Sequence, residues 1–322
     1  MIAAIGVDLG ATNVRLVLVD QNGAVMDSGR FPVPERGRAE PVLEDLAPAI
    51  EAMRERAEGN AYQVGALGVG VAGLTDVKEG IVLDAINLGW KEVPFQSLLE
   101  ERLKLPVLLE NDANATAFAE AWVGAGRGCR SLISLTLGTG VGGGLIFDGE
   151  LWRGASGLAG EIGHMVVEPD GEPCHCGGRG CLEAYISASA VVRDAKKAIL
   201  DGKVGEPLSS FMGNLEGLTA KDVSDAASKG DPLAKRILAK AGRYLGVACT
   251  SLIHIFNPEM IVVGGGMAQA GELILGPARV EVKERAFGPL AESTRIALSP
   301  LGELAGAIGV AGLALRRYVP SR

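Results

Sequence analysis

Aromatic residues are scarce in this chain: phenylalanine, tryptophan and tyrosine make up 4% of its 322 residues. Proteins that bind single-stranded nucleic acids stack bases on aromatic side chains, so that class is disfavoured. Basic residues are also outnumbered, with 31 Lys and Arg against 39 Asp and Glu and a formal net charge of −8. An acidic chain is not expected to have nucleic acids or anionic membranes as partners.

Long hydrophobic runs are missing as well. No stretch of 18 uninterrupted apolar residues occurs, so a membrane span is not expected. The N-terminal sequence MIAAIGVDLG has no basic leader and reaches Asp8 too soon for a signal peptide. Five cysteines without a secretion signal favour a reducing, cytoplasmic location, where clustered cysteines bind metals or act as thiols.

What the chain has in abundance is glycine, 46 residues, much of it in turns. The segments GVDLGATNVRLVLVDQNG and SLTLGTGVGGGLIFDG both follow the order strand, glycine-rich turn, strand, Asp-containing hairpin turn. They predict strands over Ile2–Leu9, Val14–Val19, Leu132–Leu137 and Val141–Phe147. A repeat on this scale, in a chain long for one core, predicts two similar α/β halves.

Other predicted elements alternate between helix and strand along the rest of the chain. They are a helix over Pro41–Glu58, strands over Gly65–Val71 and Pro106–Glu110, a helix over Asp112–Val123, a helix that ends before Asn257, a strand over Met260–Val263 and a last helix from about Glu303 to Tyr318.

The two glycine-rich turns are suited to a nucleoside triphosphate. Glycines let backbone N–H groups approach phosphate oxygens, Thr12 and Thr139 add hydroxyl donors, and Asp8 can hold Mg²⁺ through water. Such turns also occur simply to tighten hairpins, but two in a repeated context, together with Gly264–Gly266, favour phosphate binding. Neither turn matches the P-loop, and each leads into a strand, which a dinucleotide-binding turn does not.

A second candidate site is Glu110-Asn111-Asp112, where a predicted strand ends and a helix begins. Asp112 taken alone is equally well explained as a helix cap or a first-turn acid. Glu110 is interpreted as a solvated or capping acid and is left out of the catalytic set.

The segment Gly160–Glu183 holds three of the five cysteines and two of the three histidines. His164, Cys174, Cys176 and Cys181 follow the spacing H-x₉-C-x-C-x₄-C. Four protein ligands close a tetrahedral Zn²⁺ site without an open position for water, so a structural zinc is expected. His175 is the alternative histidine ligand, although the adjacent cysteines crowd it. A disulfide is disfavoured by the odd cysteine count and the reducing location.

Six motifs, DLGATN, ENDANA, LTLGTGVGGG, GEIGHM, CxCGxxGCLE and IVVGGG, occur in order across nearly the whole chain. With them the sequence resembles the bacterial sugar kinases of the ROK family, in the actin and hexokinase ATPase superfamily. The resemblance implies an α/β fold of two ribonuclease-H-like (actin-like ATPase) domains with an interdomain cleft. The domains would span residues 1–117 and 118–302, the second carrying the zinc loop, with a last helix over about 303–322 packing back on the first.

The resemblance also implies roles for individual residues, with Asp112 as the catalytic base. The implied sugar ligands are Gly73, Asn87, Asn111, Asp112, Glu161, His164 and Glu183. The residues implied to bind ATP and Mg²⁺ are Asp8, Gly10, Thr12, Asn13, Gly138, Thr139, Gly140, Gly264, Gly265 and Gly266. The cysteine and histidine set matches the zinc motif of the family. Ala11 departs from it, because the family usually has glycine there, so this turn has to tolerate a Cβ atom.

The implied activity is ATP-dependent phosphorylation of a hexose. The segment NLGWK and the chain length favour the glucokinase branch, which makes glucose 6-phosphate, with N-acetylmannosamine, N-acetylglucosamine, fructose or allose as alternative substrates. The family also includes sugar-responsive repressors with a helix-turn-helix ahead of the first strand; here only Met1 precedes that strand, and the chain is acidic, so this function is disfavoured. A homo-oligomer, a dimer or a tetramer, is expected from the resemblance.

Overall fold

The computed structural model describes residues 1–34, 37–202 and 207–319. The described chain forms two compact units. The first contains Met1–Arg130, Gly144–Gly160 and the described residues from Pro300 onward, and the second contains Ser131–Gly143 and Glu161–Ser299. The domain boundaries at 117 and 302 stay predictions, and residues 320–322 of the predicted last helix lie outside the described residues.

The first unit is built around a five-stranded sheet of order β3-β2-β1-β4-β8 and a three-stranded sheet of order β5-β6-β7. Its strands are β1 (Ile2–Leu9), β2 (Asn13–Asp20), β3 (Val25–Pro32), β4 (Gln63–Val71), β5 (Leu74–Asp76), β6 (Ile81–Ala85), β7 (Trp90–Val93) and β8 (Val107–Asn111). Its first three helices are α1 (Glu40–Gly59), α2 (Phe95–Leu103) and α3 (Asp112–Trp122).

The strand pairing brings candidate site residues to one edge of the large sheet. Strands β1, β4 and β8 are parallel, and the register pairs Leu9 with Val71 and Val71 with Asn111. Because the carboxyl ends of parallel strands meet at the same edge, the turn after β1 and the junction between β8 and α3 lie on that edge. Strands β1 and β2 form the predicted antiparallel hairpin around the glycine-rich turn.

Both faces of this sheet are covered. One face forms a core with α1 and α2 that includes Ile5, Leu46 and Leu67. The last helix of the chain covers the other face. A Cβ atom on Gly6 of β1 or Gly68 of β4 would collide with that helix's backbone carbonyl oxygens, so glycine allows the helix to lie directly on the strands.

The second sheet has the order β11-β10-β9-β12-β13, which repeats the arrangement of a hairpin beside parallel strands. Its strands are β9 (Leu132–Leu137), β10 (Val141–Phe147), β11 (Glu150–Leu151), β12 (Met260–Gly264) and β13 (Arg295–Leu298). The remaining helices are α4 (Glu183–Ile186), α5 (Ala188–Leu200), α6 (Ala220–Ser228), α7 (Pro232–Phe256), α8 (Glu272–Arg285), α9 (Gly288–Ser293) and the last helix, α10 (Ala305–Tyr318).

The predicted α/β class and internal repeat are therefore confirmed. Strands β1, β9 and β10 have the predicted bounds. The small β5–β7 sheet was not predicted, because its strands are three to five residues long and carry little alternation. Within the described residues, none of the helices has the length and apolar character needed to cross a membrane.

Candidate functional site

The first glycine-rich turn is closed by its own backbone. The Gly10 N–H donates to the Asn13 carbonyl at 3.1 Å, and the Asn13 side-chain amide donates to the Thr12 hydroxyl at 2.8 Å. Ala11 is not among the described residues with positive φ, so the backbone at this position does not require glycine. The methyl group of Ala11 is therefore compatible with the turn.

Asp8 lies just before this turn, near the end of β1, with only 15% of its side chain exposed. Burial raises the pKa of Asp8 to about 6, although the nearby Arg15 guanidinium, 3.4 Å away, opposes the shift. A Cβ atom on Gly306 would lie 3.2 Å from the Asp8 carboxyl carbon, so glycine in α10 leaves the carboxylate open on that side. A largely buried carboxylate has the chemistry of a cation ligand, because a bound cation would offset its desolvation.

Asp112 is the first residue of α3, directly after β8. The preceding Asn111 caps the helix: its side-chain oxygen accepts the N–H groups of Ala113 and Asn114 at 2.9 and 3.0 Å. The Asn111 amide donates to the Gly73 carbonyl at 3.1 Å and to the Asp112 carboxylate at 3.2 Å. The N-terminal end of a helix favours an ionised carboxylate, which is the form that accepts a proton.

Glu110 was predicted to be a solvated or capping acid, and that prediction is wrong. It is fully buried and paired with Arg153, whose Nε and Nη2 atoms lie 2.9 and 2.6 Å from Oε2. Local sequence contains no signal for this pair, because Arg153 is 43 residues away in the chain.

The other two predicted sugar ligands of the first unit differ in their surroundings. Gly73 follows β4, and a Cβ atom there would lie 2.5 Å from the Asp84 carbonyl oxygen, so only glycine fits. Asn87 is exposed in the turn between β6 and β7. The structure therefore connects Gly73 directly to Asn111 through a hydrogen bond, while Asn87 is exposed in the turn.

The second glycine-rich turn, between β9 and β10, is held by Glu183 and by residues of α5. The Gly138 N–H donates to the Gly140 carbonyl at 2.9 Å, and Ser189 donates to the Thr139 carbonyl at 3.1 Å. The Glu183 Oε2 atom accepts the N–H of Val141 at 2.9 Å. A Cβ atom on Gly140 would lie 2.5 Å from the same oxygen, so glycine at this position leaves room for the carboxylate.

The third glycine cluster, Gly264–Gly266, begins with the last residue of β12. Gly265 has φ +85°, and a Cβ atom there would collide with the Leu137 backbone at the end of β9. The strand β12 pairs with β9 in parallel, with Gly264 beside Thr136. Glycine is thus required for the backbone to turn next to the second phosphate-type turn.

A cavity of about 770 Å³ adjoins the second turn within the second unit, and the sequence did not predict it. Its lining includes Thr139, Ser189, Arg193, Lys196 and Thr219, contributed by the turn, by α5 and by the start of α6. A cavity of this size matches the volumes of small-molecule sites.

The four predicted metal ligands lie together. The donor atoms of His164, Cys174, Cys176 and Cys181 are all within 4.8 Å of one another, and His175 is not in this cluster. The Cys176 and Cys181 sulfurs are 3.7 Å apart, and the Cys174 sulfur is 3.7 Å from His164 Nδ1. With Zn–S bonds of about 2.3 Å, tetrahedral ligands are separated by about 3.8 Å, so the cluster fits zinc.

The chemistry of the donor set also fits a cation. Burial raises the pKa of the Cys174 thiol to about 12, so its thiolate requires a positive charge beside it. The loop around the cluster turns at Gly177 and Gly180, which have φ values of +87° and +71°, and a Cβ atom on Gly180 would collide with the Glu168 carbonyl oxygen.

The cluster adjoins two of the predicted sugar ligands. His164 Nε2 lies 3.9 Å from the Glu161 carboxylate, on the ring edge opposite the Nδ1 atom that faces Cys174. Glu183 Oε1 lies 3.7 Å from the Cys174 sulfur. Because Glu183 Oε2 also holds the second turn, one carboxylate connects the cysteine cluster with the predicted phosphate site.

The ROK family profile matches residues 4–317. A glucokinase from Halalkalibacterium halodurans is 35% identical over 307 residues, which cover 95% of this chain and 92% of that protein. A glucokinase from Thermotoga maritima is 38% identical over 318 residues, 97% of each chain.

Solved structures give the same result for the fold. A ROK family glucokinase from Streptomyces griseus, in complex with glucose and AMPPNP, aligns with a TM-score of 0.82 and 36% identity over 98% of this chain and 99% of that one. A ROK family transcriptional regulator aligns with a TM-score of 0.86 and 27% identity over 97% of this chain and 77% of the regulator.

Proposed function

Because the chain belongs to the ROK family, we propose that it is a glucokinase that transfers the γ-phosphoryl group of ATP to glucose. The observation that carries the proposal is its identity of 35–38% to glucokinases over 92–97% of their length. The fold class is that of the actin-like ATPases, and the ROK glucokinase from Streptomyces griseus aligns with this chain over 98% of its length.

The proposed catalytic base is Asp112. Its carboxylate takes the proton of the reacting sugar hydroxyl, the hydroxyl oxygen attacks the γ-phosphorus, and ADP leaves with the bond electrons. The helix N-terminus supports the ionised base, and the Asn111 amide at 3.2 Å orients it. Asn111 also bonds to the first turn of α3, to the Gly73 carbonyl and, through its backbone N–H, to Glu110, so its position is well determined.

Sugar binding is proposed to use a larger set of groups, all of which can exchange directional hydrogen bonds with hydroxyls. These are Gly73, Asn87, Asn111, Asp112, Glu161, His164 and Glu183. His164 belongs to the metal-ligand cluster and Glu183 adjoins it, which supports a role for that cluster in orienting both side chains.

ATP is proposed to bind through the three glycine clusters. The backbone of the turns at Gly10 and Gly138–Gly140 and of Gly264–Gly266, with Thr12, Asn13 and Thr139, offers donors for the phosphates. Asp8 would hold Mg²⁺, which neutralises phosphate charge when bound. The cavity beside Thr139 and Lys196 is large enough for the base and ribose.

Zinc is proposed as a structural ion held by His164, Cys174, Cys176 and Cys181. Four protein donors leave no open coordination position, so the ion orders the loop and the neighbouring sugar ligands. Elemental analysis is expected to find about one zinc per chain, and its removal by a chelator is expected to weaken glucose binding.

The chain is proposed to form a homo-oligomer, either a dimer or a tetramer. Its proposed location is the cytoplasm. Thiolate metal ligands suit a reducing compartment.

The deciding experiment is a coupled ADP-release assay with ATP and Mg²⁺ over a panel of sugars. Glucose is expected to have the highest kcat/KM among glucose, fructose, allose, N-acetylglucosamine and N-acetylmannosamine. A higher kcat/KM for another sugar would make that sugar the proposed substrate and would leave the proposed kinase activity standing. No turnover with any sugar, together with sequence-specific DNA binding in a gel-shift assay, would favour a regulator instead.

A further inference from the structure

Glu110 and Arg153 form a buried ion pair in which both oxygens of the carboxylate are used. Arg153 donates twice to Oε2, at 2.9 and 2.6 Å. The Oε1 atom accepts the Asn111 backbone N–H at 3.1 Å and the Asn114 side-chain amide at 3.1 Å. Four hydrogen bonds therefore compensate a fully buried carboxylate that would otherwise be costly.

The two contacts to Oε1 lie on either side of Asp112 in the chain. Asn111 is the last residue of β8 and the cap of α3, and the buried Asn114 lies in the first turn of α3. Glu110 thus ties the end of the strand to the first turn of the helix across the candidate base. Arg153, from the segment after β11, holds Glu110 from outside this junction.

Stability alone is a weak reason for such a pair. Replacing a buried ion pair with well-packed apolar side chains is often neutral or stabilising, whereas charged pairs can fix one geometry. Catalytic groups need support that holds them within about 0.5 Å of the productive position. The pair is connected by hydrogen bonds to Asn111, which in turn contacts Asp112, so its geometry is transmitted to the base.

We propose that Glu110 and Arg153 are positioning residues that hold the β8–α3 junction so that Asn111 and Asp112 meet the sugar correctly. The proposal rests on the proposed kinase function. Neither side chain touches the phosphate-type turns in the described contacts, so the pair acts on the phosphoryl acceptor and leaves ATP binding unchanged.

The test uses three variants: Arg153→Met, Glu110→Gln and the double variant that combines these two substitutions. Arg316→Met is the control. Arg316 lines the same cavity of about 660 Å³ as Arg153 but pairs with Glu150 at the surface, so it is a matched control. Arg153→Met leaves the Glu110 charge unpaired and is expected to lower kcat per folded molecule at least about 10-fold, since 1 Å of misplacement costs up to about 100-fold. The ATP KM is expected to stay within about twofold.

The double variant distinguishes positioning from general damage. Glu110→Gln keeps an acceptor near Asn111 and Asn114 but removes the unpaired charge. The double variant is therefore expected to have a kcat at least about threefold higher than that of Arg153→Met alone. Arg316→Met is expected to keep the wild-type kcat. Arg153→Lys keeps the charge but loses the two-pronged contact, and it provides an intermediate variant should Arg153→Met fail to fold.

Hydrogen exchange separates this proposal from the kinase proposal. Mass spectrometry of peptides spanning 107–118 is expected to show faster exchange in Arg153→Met than in wild type, with unchanged exchange at the cysteine loop. A wild-type protein that turns over no sugar would refute the kinase function, whereas altered exchange would still show that the pair holds the β8–α3 junction. Wild-type kcat in Arg153→Lys and Arg153→Met, with unaltered exchange at 107–118, would overturn the positioning role.

Discussion

Replacing Asp8 with Asn is expected to make the folded chain more stable at neutral pH while it impairs catalysis. Burial raises the pKa of Asp8 from its ordinary value of 3.8 to about 6, in spite of Arg15. A shift of about two units at 1.36 kcal/mol per unit corresponds to about 3 kcal/mol of cost for keeping the charge in the folded state. Asn has the same size and can still accept a hydrogen bond from Arg15, but it has no charge to desolvate.

The pH dependence follows from the direction of the shift. Between about pH 4 and 6, the folded chain binds a proton at Asp8 that the unfolded chain does not, so the wild type gains stability as the pH falls through this window. Asp8→Asn lacks that gain. The advantage of the variant is therefore expected to be largest above pH 6 and to vanish below about pH 4.

Urea unfolding of both proteins at pH 7 and pH 4.5 measures this difference, with the coupled assay run in parallel. We expect up to about 3 kcal/mol of added stability at pH 7 and at least about a 10-fold loss of turnover with Mg²⁺ and ATP. Glu303→Gln is the control, because Glu303 is the exposed second partner of Arg15 and is expected to change stability by less than about 1 kcal/mol. A variant as stable as wild type, or less stable, at pH 7 would refute the argument.

Three further predictions concern the base, the metal and the second turn. Asp112→Asn keeps the shape but removes the base, so kcat in the coupled assay is expected to fall at least about 100-fold with a smaller change in glucose KM; near wild-type turnover would exclude Asp112 as base. Cys176→Ser is expected to lose zinc in elemental analysis and to weaken glucose binding in calorimetry, and a zinc-free protein with full affinity would contradict this. Gly140→Ala places a Cβ atom 2.5 Å from Glu183 Oε2, so the carboxylate has to move away from the Val141 N–H; thermal unfolding is expected to show the loss of that charged hydrogen bond, about 1–3 kcal/mol, unlike Gly276→Ala in α8, where the nearest contact is 3.7 Å away.

Sequence alone predicted the features whose signals are local. Short apolar runs bounded by the glycine-rich turn and the Asp-Gly turn placed β9 and β10, because these strand and hairpin signals act over a few residues. The cysteine and histidine spacing predicted the cluster for the same reason: its ligands lie within 18 consecutive residues, and glycines determine how that short loop turns. The motifs also predicted the family, and its profile match confirms that prediction.

Tertiary structure decided the properties that depend on distant groups. Glu110 was interpreted as solvated because nothing beside it in sequence predicts burial, yet the fold places Arg153 against it. The raised pKa of Asp8 arises from burial at the end of β1, where residues as distant in sequence as Gly306, almost 300 residues later in the chain, pack beside it. Burial and electrostatic pairing depend on which segments meet in space, and a periodic pattern in sequence specifies which face of an element is apolar without specifying its charged partner.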